Sequence, residues 1–528
     1  MKILFNGRVY TNYPEQPIVS ALAIEQGRIL AIGSDDSILS LADPHAIREN
    51  LEGRVVLPGL TDAHIHLEYY AQSLATVDCE TLTRAECLKR VAQRARSVAP
   101  GQWIRGHGWN QNLWPEGFGS ASDLDEVAPN HPVYLTAKSV HAAWANTAAL
   151  RLAGITEHTP DPQGGKLLRD ANGQPTGILL ETAMELVEKV IPPPSVEELA
   201  RDIETAQRIL FSLGLTGVHD YDQARCFSAL QMLDARGALQ LRVVKGIPLD
   251  LLPEATRLGL RSGFGSPHLR IGSVKLFADG ALGPHTAAML QPYEDDPGNT
   301  GILFLDSEQI FEFGQQAVSG GLSMAIHAIG DRANHEVLEA YGQLRAYEKQ
   351  HGLAPLRHRI EHVQCLHPDD LGKLAELQII ASVQPIHATS DMLIADRYWG
   401  ARSQGAYAYR TLLERGTHLA FGSDAPVESP NPWWGIHAAV TRQRQDGTPS
   451  PEGWYPSQRL SFAEALAGYT TGPAFAAGCE QSLGRLAPGF LADLILLDTS
   501  PLDIPPQELF TLQPTATMID GEWVWKRE

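Results

Sequence analysis

Five side chains of metal-binding type stand at or just after the ends of short apolar runs in this sequence. His64 and His66 follow the run VVLPGL within LPGLTDAHIHL, and a spacing of two on an extended backbone points both imidazoles to the same face. His327 ends LSMAIHA, His362 ends RIEHV and Asp424 ends LAFGSD. Histidine nitrogens and carboxylate oxygens are ligands that Zn²⁺ or a similar divalent ion prefers. The set therefore predicts a divalent metal site.

Eight short apolar runs, most of them separated by helical stretches, explain how these residues would meet. The runs lie near residues 55, 216, 241, 269, 322, 357, 378 and 418. This alternation is typical of βα units with a parallel sheet, and eight such units close a barrel whose strands share one carboxyl-terminal rim. Burying these polar groups there merely as packing would cost several kcal/mol. We therefore expect an α/β fold, a (β/α)8 TIM barrel with the metal site at its rim.

Both ends of the chain read as short strands separated by turns. The first strands are MKILFNGRVY and SALAIEQGRILAIG, and the last are LADLILLD and TATMIDGEWVWK, with Asp520-Gly521 as a hairpin turn signal. We expect residues 1–56 and 480–528 to form one small β-sandwich domain and residues 57–479 to form the barrel. The gap after the first run is far longer than a crossover helix, which predicts an insertion over about residues 68–215, a lid or a pocket wall.

Composition limits the class of protein. The 528 residues are 43% hydrophobic and 20% charged, which is typical of a globular enzyme. A formal charge of −20 disfavours nucleic acid and anionic membranes as partners and leaves a small-molecule substrate, with a homo-oligomer as an open possibility. The amino-terminal residues show no signal peptide, and no apolar stretch reaches the roughly 20 residues of a membrane span. Five cysteines without a Cys-x-x-Cys pair favour the reducing cytoplasm.

Motifs along nearly the whole chain point to one family. They are LPGLTDAHIHL, GWNQNLWPEG, VHAAWANTAAL, VKLFADGALG, HAIGDRAN, RIEHVQ, FGSDAPVESPNPWWGI and the closing GRLAPGFLADLILLD. Together they resemble the amidohydrolase superfamily and, within it, the amidohydrolase-3 branch of metal-dependent hydrolases. That branch includes exoenzyme regulatory-like proteins and N-substituted formamide deformylases. The resemblance implies a metal-dependent hydrolase with a terminal β-sandwich.

The resemblance adds Lys275, at the end of the fourth apolar run, to the predicted ligands His64, His66, His327, His362 and Asp424. An ammonium group has no lone pair and cannot bind a metal. In related binuclear members a lysine at this strand end is carboxylated, and its carbamate bridges two metals. The alternative is a lysine that pairs with Asp279 or with a substrate carboxylate. We expect one or two divalent ions, with Zn²⁺ as the leading candidate.

The predicted activity is hydrolysis of a non-peptide C–N bond in an amide, formamide or cyclic amide. A bound cation lowers the pKa of water towards roughly 7. Asp424 would orient that water, take its proton and return it to the leaving nitrogen. Two alternatives stay open: a non-hydrolytic enzyme such as an isomerase on the same centre, and a binding or regulatory protein that has lost turnover. The second would have lost a ligand or the base, whereas all six residues are present.

Three further residues are candidates for substrate binding, namely Trp109, His141 and Asp279. Trp109 lies in GHGWNQNLWPEG and would otherwise pack the insertion, and Asp279 follows the fourth run directly. His141 in SVHAAWANTAAL would otherwise cap a helix, and the Ser139-Val140 before it replaces the Asp-Gly of many relatives. The predicted metal set leaves out six other histidines: His107, His219, His285, His335, His387 and His437.

Overall fold

The computed structural model describes residues 1–111, 114–138 and 142–528. The predicted substrate contact His141 lies outside these residues. The chain divides into two compact units, one with Met1–Tyr70 and Ile203–Glu528 and the other with Ala71–Asp202. In the part of the chain that the structure covers, no helix has the length and apolar character needed to cross a membrane.

The first unit contains a sheet of eight parallel strands that closes into a barrel. In chain order, β1 to β8 are Leu60–Ile65, Leu215–Asp220, Arg242–Pro248, Leu269–Phe277, Met324–Ala328, Arg359–His362, Ile380–Val383 and Leu419–Phe421. Each strand pairs with the next in chain order, and Ile65 at the end of β1 bridges Ala425 after β8 in parallel. This closure confirms the predicted (β/α)8 barrel.

Helices connect the barrel strands and cover them. The longer ones are Val196–Ser212, Ala224–Ala235, Ser307–Ser319, Asp331–Gln350, Pro385–Trp399 and Pro432–Thr441, and the shorter ones are Leu252–Arg257, Lys373–Glu376, Tyr409–Glu414, Phe462–Gly468 and Thr471–Ala476. Local sequence fixes where they begin. The side chain of Asp306 accepts a hydrogen bond from the backbone amide of Gln309, and the side chain of Gln309 accepts one from the backbone amide of Asp306. This capping box begins the helix after β4.

The prediction of the first barrel strand was wrong. The run beginning at Val55 forms the strand Val55–Pro58 of a different sheet, where it pairs with Arg8–Tyr10 and Leu494–Leu497. Barrel strand β1 follows it, after the single residue Gly59, and contains polar residues that weaken its apolar pattern. Asp62 of β1, for example, is buried and accepts hydrogen bonds from Ser423. His64 therefore lies within β1, and His66 directly follows the strand.

Strands from both chain ends build two further sheets of the first unit. One has the order Glu522–Lys526, Ala516–Ile519, Leu494–Leu497, Val55–Pro58, Arg8–Tyr10 and Ile18–Val19, and the other has the order Arg28–Gly33, Ala21–Glu25, Lys2–Phe5 and Ile47–Asn50. A single apolar core joins the two sheets, with Leu4 and Leu22 from one packed among Val56, Leu494 and Met518 from the other. This is the predicted β-sandwich of both termini; its exact boundaries stay a prediction.

Two features tie the carboxyl-terminal strands into the first unit. The predicted hairpin turn is present, with positive φ angles of 50° at Asp520 and 75° at Gly521, as a type I′ turn requires. Arg242 of β3 is buried, and its guanidinium lies 2.6 Å from one oxygen of Asp493 and 2.5 Å from Asp520. A bidentate charge pair therefore links the barrel to the sandwich.

The second unit, inserted between β1 and β2 as predicted, has its own sheet. Its strands follow the order Gly165–Arg169, Pro175–Glu181, Ala142–Ala145, Val133–Ala137, Ile104–Trp109 and Val77–Asp78, and its helices include Arg84–Ser97, Ala121–Val127 and Thr147–Leu152. Trp109 is completely buried in the apolar core of this unit, and its indole donates to the carbonyl of Leu135 at 2.8 Å. Trp109 therefore packs the insertion, which was the alternative to substrate binding in the sequence analysis. Because its ring is completely buried, it is not accessible to a substrate.

Candidate metal centre

The barrel brings the five ligand-type residues of the sequence analysis together at one rim. Nε2 of His64 and Nε2 of His66 lie 3.5 and 3.4 Å from Oδ1 of Asp424. The ring of His362 lies 5.0 Å from that of His64 and 4.5 Å from that of His327, measured between ring centres. These residues come from β1, β5, β6 and the segment after β8, so the closed sheet is what places them around one point.

The backbone is unusual where it presents two of these side chains. His362 and Asp424 have φ angles of 73° and 60°, in the left-handed region that costs non-glycine residues about 1–3 kcal/mol. Hydrogen bonds to β1 hold the second of them: the amide of Asp424 donates to the carbonyl of His64 at 2.7 Å, and the amide of His66 donates to Ala425 at 2.9 Å. The strained turn therefore aims the carboxylate of Asp424 at both imidazoles.

Carboxylates fix the orientation of the first two histidines. Nδ1 of His64 lies 2.6 Å from Glu361, and Nδ1 of His66 lies 3.0 Å from Asp222. An ionised carboxylate can only accept, so each Nδ1 carries a hydrogen. Burial lowers the pKa of His64 to about 4, so this ring is neutral near physiological pH and its Nε2 keeps its lone pair. Nε2 of His64 is buried and has no hydrogen-bond partner among the described residues.

The other two histidines are oriented by oxygen atoms of uncharged groups. Nδ1 of His362 lies 2.8 Å from the amide oxygen of Gln384, which leaves its Nε2 free to accept. His327 is turned the other way, because its Nε2 donates to the carbonyl of Gly280 at 2.9 Å and its Nδ1 keeps the lone pair. Burial lowers the pKa of His327 to about 3, so this ring is neutral at physiological pH.

Behind His64 stands a buried charge network. Nε of Arg359 lies 2.5 Å from Oε1 of Glu361, and the hydroxyl of Tyr221 donates to the same oxygen at 3.4 Å. Burial raises the pKa of the Glu361 carboxyl, but Arg359 and His64 outweigh it and hold that pKa well below its usual range. Arg359 also donates to Nδ1 of His219, so His219 supports the network and does not reach the centre directly.

Lys275 is buried in β4 beside the centre. Its ammonium nitrogen lies 4.9 Å from the ring centres of both Tyr221 and Phe277, and no carboxylate of the described residues comes within 4.0 Å of it. Burial lowers the pKa of Lys275 to about 8, although Glu361 and Asp424 act in the opposite direction. A fraction of neutral amine is therefore present near neutral pH.

Asp279 organises the rim loops. Its carboxylate accepts the backbone amides of Ala288, Ile329 and Gly330 at 2.9, 3.0 and 2.8 Å. Burial raises its pKa to about 7 although these three amides favour the ionised form. The predicted alternative of a pair between Lys275 and Asp279 is absent, because the acceptor positions of Asp279 are taken by backbone amides. The completely buried carboxylate supports loops instead of facing a substrate.

Sequence reasoning missed one histidine of the centre. His387, which had been left out of the metal set, lies in the first turn of the helix Pro385–Trp399, and its Nε2 is 4.0 Å from Oδ2 of Asp424. That Nε2 is buried without a hydrogen-bond partner among the described residues, and the ring stacks 6.1 Å from His362. A signal was available, since His387 follows the seventh strand after only a few residues.

The donor atoms fit a divalent cation. His64, His66 and Asp424 form one group of mutually close donor atoms, and His362, His387 and Asp424 form a second. Burial would raise the pKa of Asp424, but the hydrogen bond from His66 and the nearby histidines hold that pKa well below its usual range. An ionised carboxylate shared by two groups of imidazole donors is an arrangement that zinc and similar ions bind.

In a third group of possible metal donors, the ammonium group of a lysine occupies the position of a cation. Asp220 ends β2, and Asp222 and Cys226 follow it closely. The ammonium group of Lys245 lies 2.9 Å from Asp220. Lys245 also donates to the carbonyl of Gly246 at 3.0 Å. This group therefore serves to position Asp222 behind His66.

The candidate cation site of histidines and an aspartate lies at the carboxyl-terminal rim of a (β/α)8 barrel, where enzymes of this fold have their active sites. The model of the amidohydrolase family matches residues 49–525, and the chain belongs to this family. Family membership identifies the chain as a hydrolase and confirms the resemblance that the motifs predicted.

Two relatives and one solved structure match the chain over nearly its full length. The protein LONG AFTER FAR-RED 3 of Arabidopsis thaliana is 34% identical over 516 residues, which are 95% of this chain and 88% of that protein. The N-substituted formamide deformylase of Arthrobacter pascens is 30% identical, with 99% and 98% covered. The crystal structure of a metal-dependent hydrolase from Pyrococcus furiosus is 32% identical with a TM-score of 0.79, and 95% of this chain and 99% of that chain are covered.

Proposed function

We propose that this protein is a metal-dependent hydrolase that cleaves a non-peptide C–N bond in an amide, formamide or cyclic amide. The observation that carries the proposal is the ionised Asp424 carboxylate between His64 and His387, whose buried Nε2 atoms have no hydrogen-bond partner among the described residues. Such unsatisfied buried nitrogens are costly unless a ligand binds them. The relative that is an N-substituted formamide deformylase supports the choice of bond.

The residues that would hold one or two ions, with zinc as the leading candidate, are His64, His66, His327, His362, Asp424 and a carboxylated Lys275. Carboxylation of Lys275 needs only carbon dioxide: the neutral amine attacks its carbon, an N–C bond forms and a proton leaves the nitrogen. The buried amine without a carboxylate partner supports this step. His387 would complete the second donor group beside His362.

Metal ions held here would supply polarisation of the substrate carbonyl and acidification of a water molecule. Asp424 lies within 3.5 Å of both His64 and His66, so it stands beside any reactant that these imidazoles position. As an ionised carboxylate it accepts a proton from water and passes it to the leaving nitrogen. The C–N bond breaks, a C–O bond forms, and the products are a carboxylic acid and an amine.

The buried partners keep this geometry fixed during the reaction. Glu361 and Asp222 hold the hydrogen on Nδ1 of His64 and His66, so neither ring can rotate or change tautomer without losing a charged hydrogen bond. Fixed donors need little reorganisation as charge develops, which is the main source of catalysis at such sites.

A panel of formamides, linear amides and cyclic amides tests the proposal, with purified zinc-reconstituted protein in water enriched in ¹⁸O. From open-chain substrates we expect equal amounts of acid and amine, and from a cyclic amide one ring-opened amino acid, each with one ¹⁸O atom in the new carboxyl group. Asp424→Asn protein is the control with strongly reduced turnover. A rearranged product without ¹⁸O would indicate an isomerase. No product from any substrate of the panel would favour a binding or regulatory protein.

A further inference from the structure

A cavity of about 660 Å³ opens at the barrel rim and shares a wall with the candidate metal centre. Tyr221 and Lys275 form that shared wall, and Phe277 beside them packs its ring 5.3 Å from that of His327. The volume lies within the range of pockets that bind small molecules. The described residues that line it belong to the first unit. The cavity is therefore a continuation of the reaction site.

The cavity and Asp424 lie on opposite sides of the barrel. The lining residues come from the ends of β2, β3 and β4 and the segments that follow them, whereas Asp424 follows β8. In a closed sheet of eight strands in chain order, β4 is diametrically opposite β8. Because Asp424 must reach the leaving nitrogen to protonate it, the amine part of the substrate lies on the β8 side. The acyl part then points across the barrel towards the cavity.

The walls of the cavity are chiefly apolar. Pro248, Leu252 and Phe313 line it, together with Phe277 and Phe304, whose side chains are about half exposed. Among the described residues that line it, only Asp250 and Lys275 are charged. Since a carboxylated Lys275 would be anionic, the described lining would have no cationic side chain to pair with a charged acyl group. The surface fits a neutral alkyl or aryl group.

We propose that this cavity is the acyl subsite of the enzyme and that the preferred substrates are amides of neutral alkyl or aryl carboxylic acids, not formamides. The proposal rests on the proposed function, since it concerns the orientation of the bond that is cleaved. Phe277 and Phe304 determine specificity by covering the acyl chain, and each additional buried methylene raises kcat/KM about fourfold.

Two matched substrate series test the orientation. The first keeps an N-methyl amine and lengthens the acyl group from formyl to hexanoyl; the second keeps the formyl group and lengthens the N-alkyl group over the same range. We expect kcat/KM to rise along the first series and to stay nearly level along the second. Phe277→Ala and Phe304→Ala should each lower the ratio of kcat/KM for hexanoyl over acetyl substrate by about fivefold. Because both substrates are measured on the same enzyme sample, a change in metal content affects both values of kcat/KM equally and cancels in their ratio.

Leu258→Ala is the matched control, because Leu258 is an apolar side chain, 77% exposed, outside the cavity lining, and its removal should leave the ratio unchanged. A rise along the N-alkyl series instead, or equal ratios in wild type and both phenylalanine variants, would overturn the acyl assignment while leaving the hydrolase intact. Absence of hydrolysis in both series and in cyclic amides would contradict the proposed function itself.

Discussion

Nδ1 of His64 lies 2.6 Å from Oε2 of Glu361, and both side chains are buried. This short contact makes Glu361 the anchor of the first histidine of the centre. Arg359 in turn holds Glu361 with its guanidinium at 2.5 Å. An arginine, a glutamate and a histidine therefore form a buried chain that ends at the lone pair facing Asp424.

Replacement of Glu361 should weaken metal binding. Glu361→Gln keeps the size of the side chain and removes the charge that holds the His64 tautomer, so we expect zinc affinity to fall by about 10- to 100-fold. Competition with a chromophoric chelator measures the dissociation constant. Glu339→Gln, in the helix Asp331–Gln350, alters an exposed pair with Lys373 and is the control. Equal affinities for the wild type and Glu361→Gln would show that the contact has no role in binding.

Replacement of Asp424 should separate chemistry from metal binding. Asp424→Asn cannot accept a proton, and loss of a general base lowers kcat by about 10²- to 10⁴-fold. His64, His66, His327 and His362 remain, so much of the metal should stay bound. Steady-state kinetics combined with elemental analysis of the same sample tests this. An Asp424→Asn protein with wild-type kcat would remove Asp424 from the mechanism.

Metal binding should release a proton from His66. Burial lowers its pKa, but the hydrogen bonds with Asp222 and Asp424 prevail and raise that pKa to about 9. The imidazolium stabilises the chelator-treated fold below pH 6.5, and this contribution is lost as the pH rises through 9. At pH 7.5 a metal must therefore displace about one proton from this ring.

Calorimetric titration of zinc in buffers of different ionisation enthalpy counts the released protons. The number of protons released per zinc should be lower at pH 10 than at pH 7.5, because His66 is already neutral at pH 10. Asp222→Asn removes a carboxylate that raises the pKa of His66, so it should lower the count at pH 7.5. A count that does not change with pH or with this substitution would contradict the assigned role of Asp222.

The link between barrel and sandwich should matter for stability. Asp493→Ala leaves Asp520 as the one charged partner of the buried Arg242 among the described residues, and removal of one partner of a buried pair costs about 3–5 kcal/mol. Asp503→Ala breaks the exposed pair with Arg8 and should cost less than about 1 kcal/mol. Denaturant unfolding of the two variants gives the comparison. Equal losses would mean that the Arg242 link is no stronger than a surface pair.

The sequence was sufficient to predict the barrel and to select five ligand-type residues that lie together in it, since these residues mark strand ends and a closed sheet brings strand ends together. It failed at the first strand, because the apolar pattern is strongest in Val55–Pro58, which packs inside the sandwich. β1 is less apolar, because Asp62 and His64 find their partners inside the barrel.

Glu361 and His387 were missed for a different reason. Neighbouring residues in a strand point to opposite faces, so a pattern that directs His362 into the centre directs Glu361 away from it. The backbone of His362 adopts a φ angle of 73°, and the side chains of both Glu361 and His362 lie at the centre. His387 arrives from the first turn of a helix, whose direction depends on packing that short-range patterns do not encode.

A comparison of metal content between the wild type and the Lys275→Ala variant tests the central claim most directly. Protein purified without chelator and reconstituted with zinc and bicarbonate is analysed for metal as wild type and as Lys275→Ala. We expect about two zinc ions per wild-type chain and one or fewer in Lys275→Ala, because the bridging carbamate is lost. A wild-type protein that holds no transition metal after this reconstitution would contradict the account of a metal-dependent hydrolase.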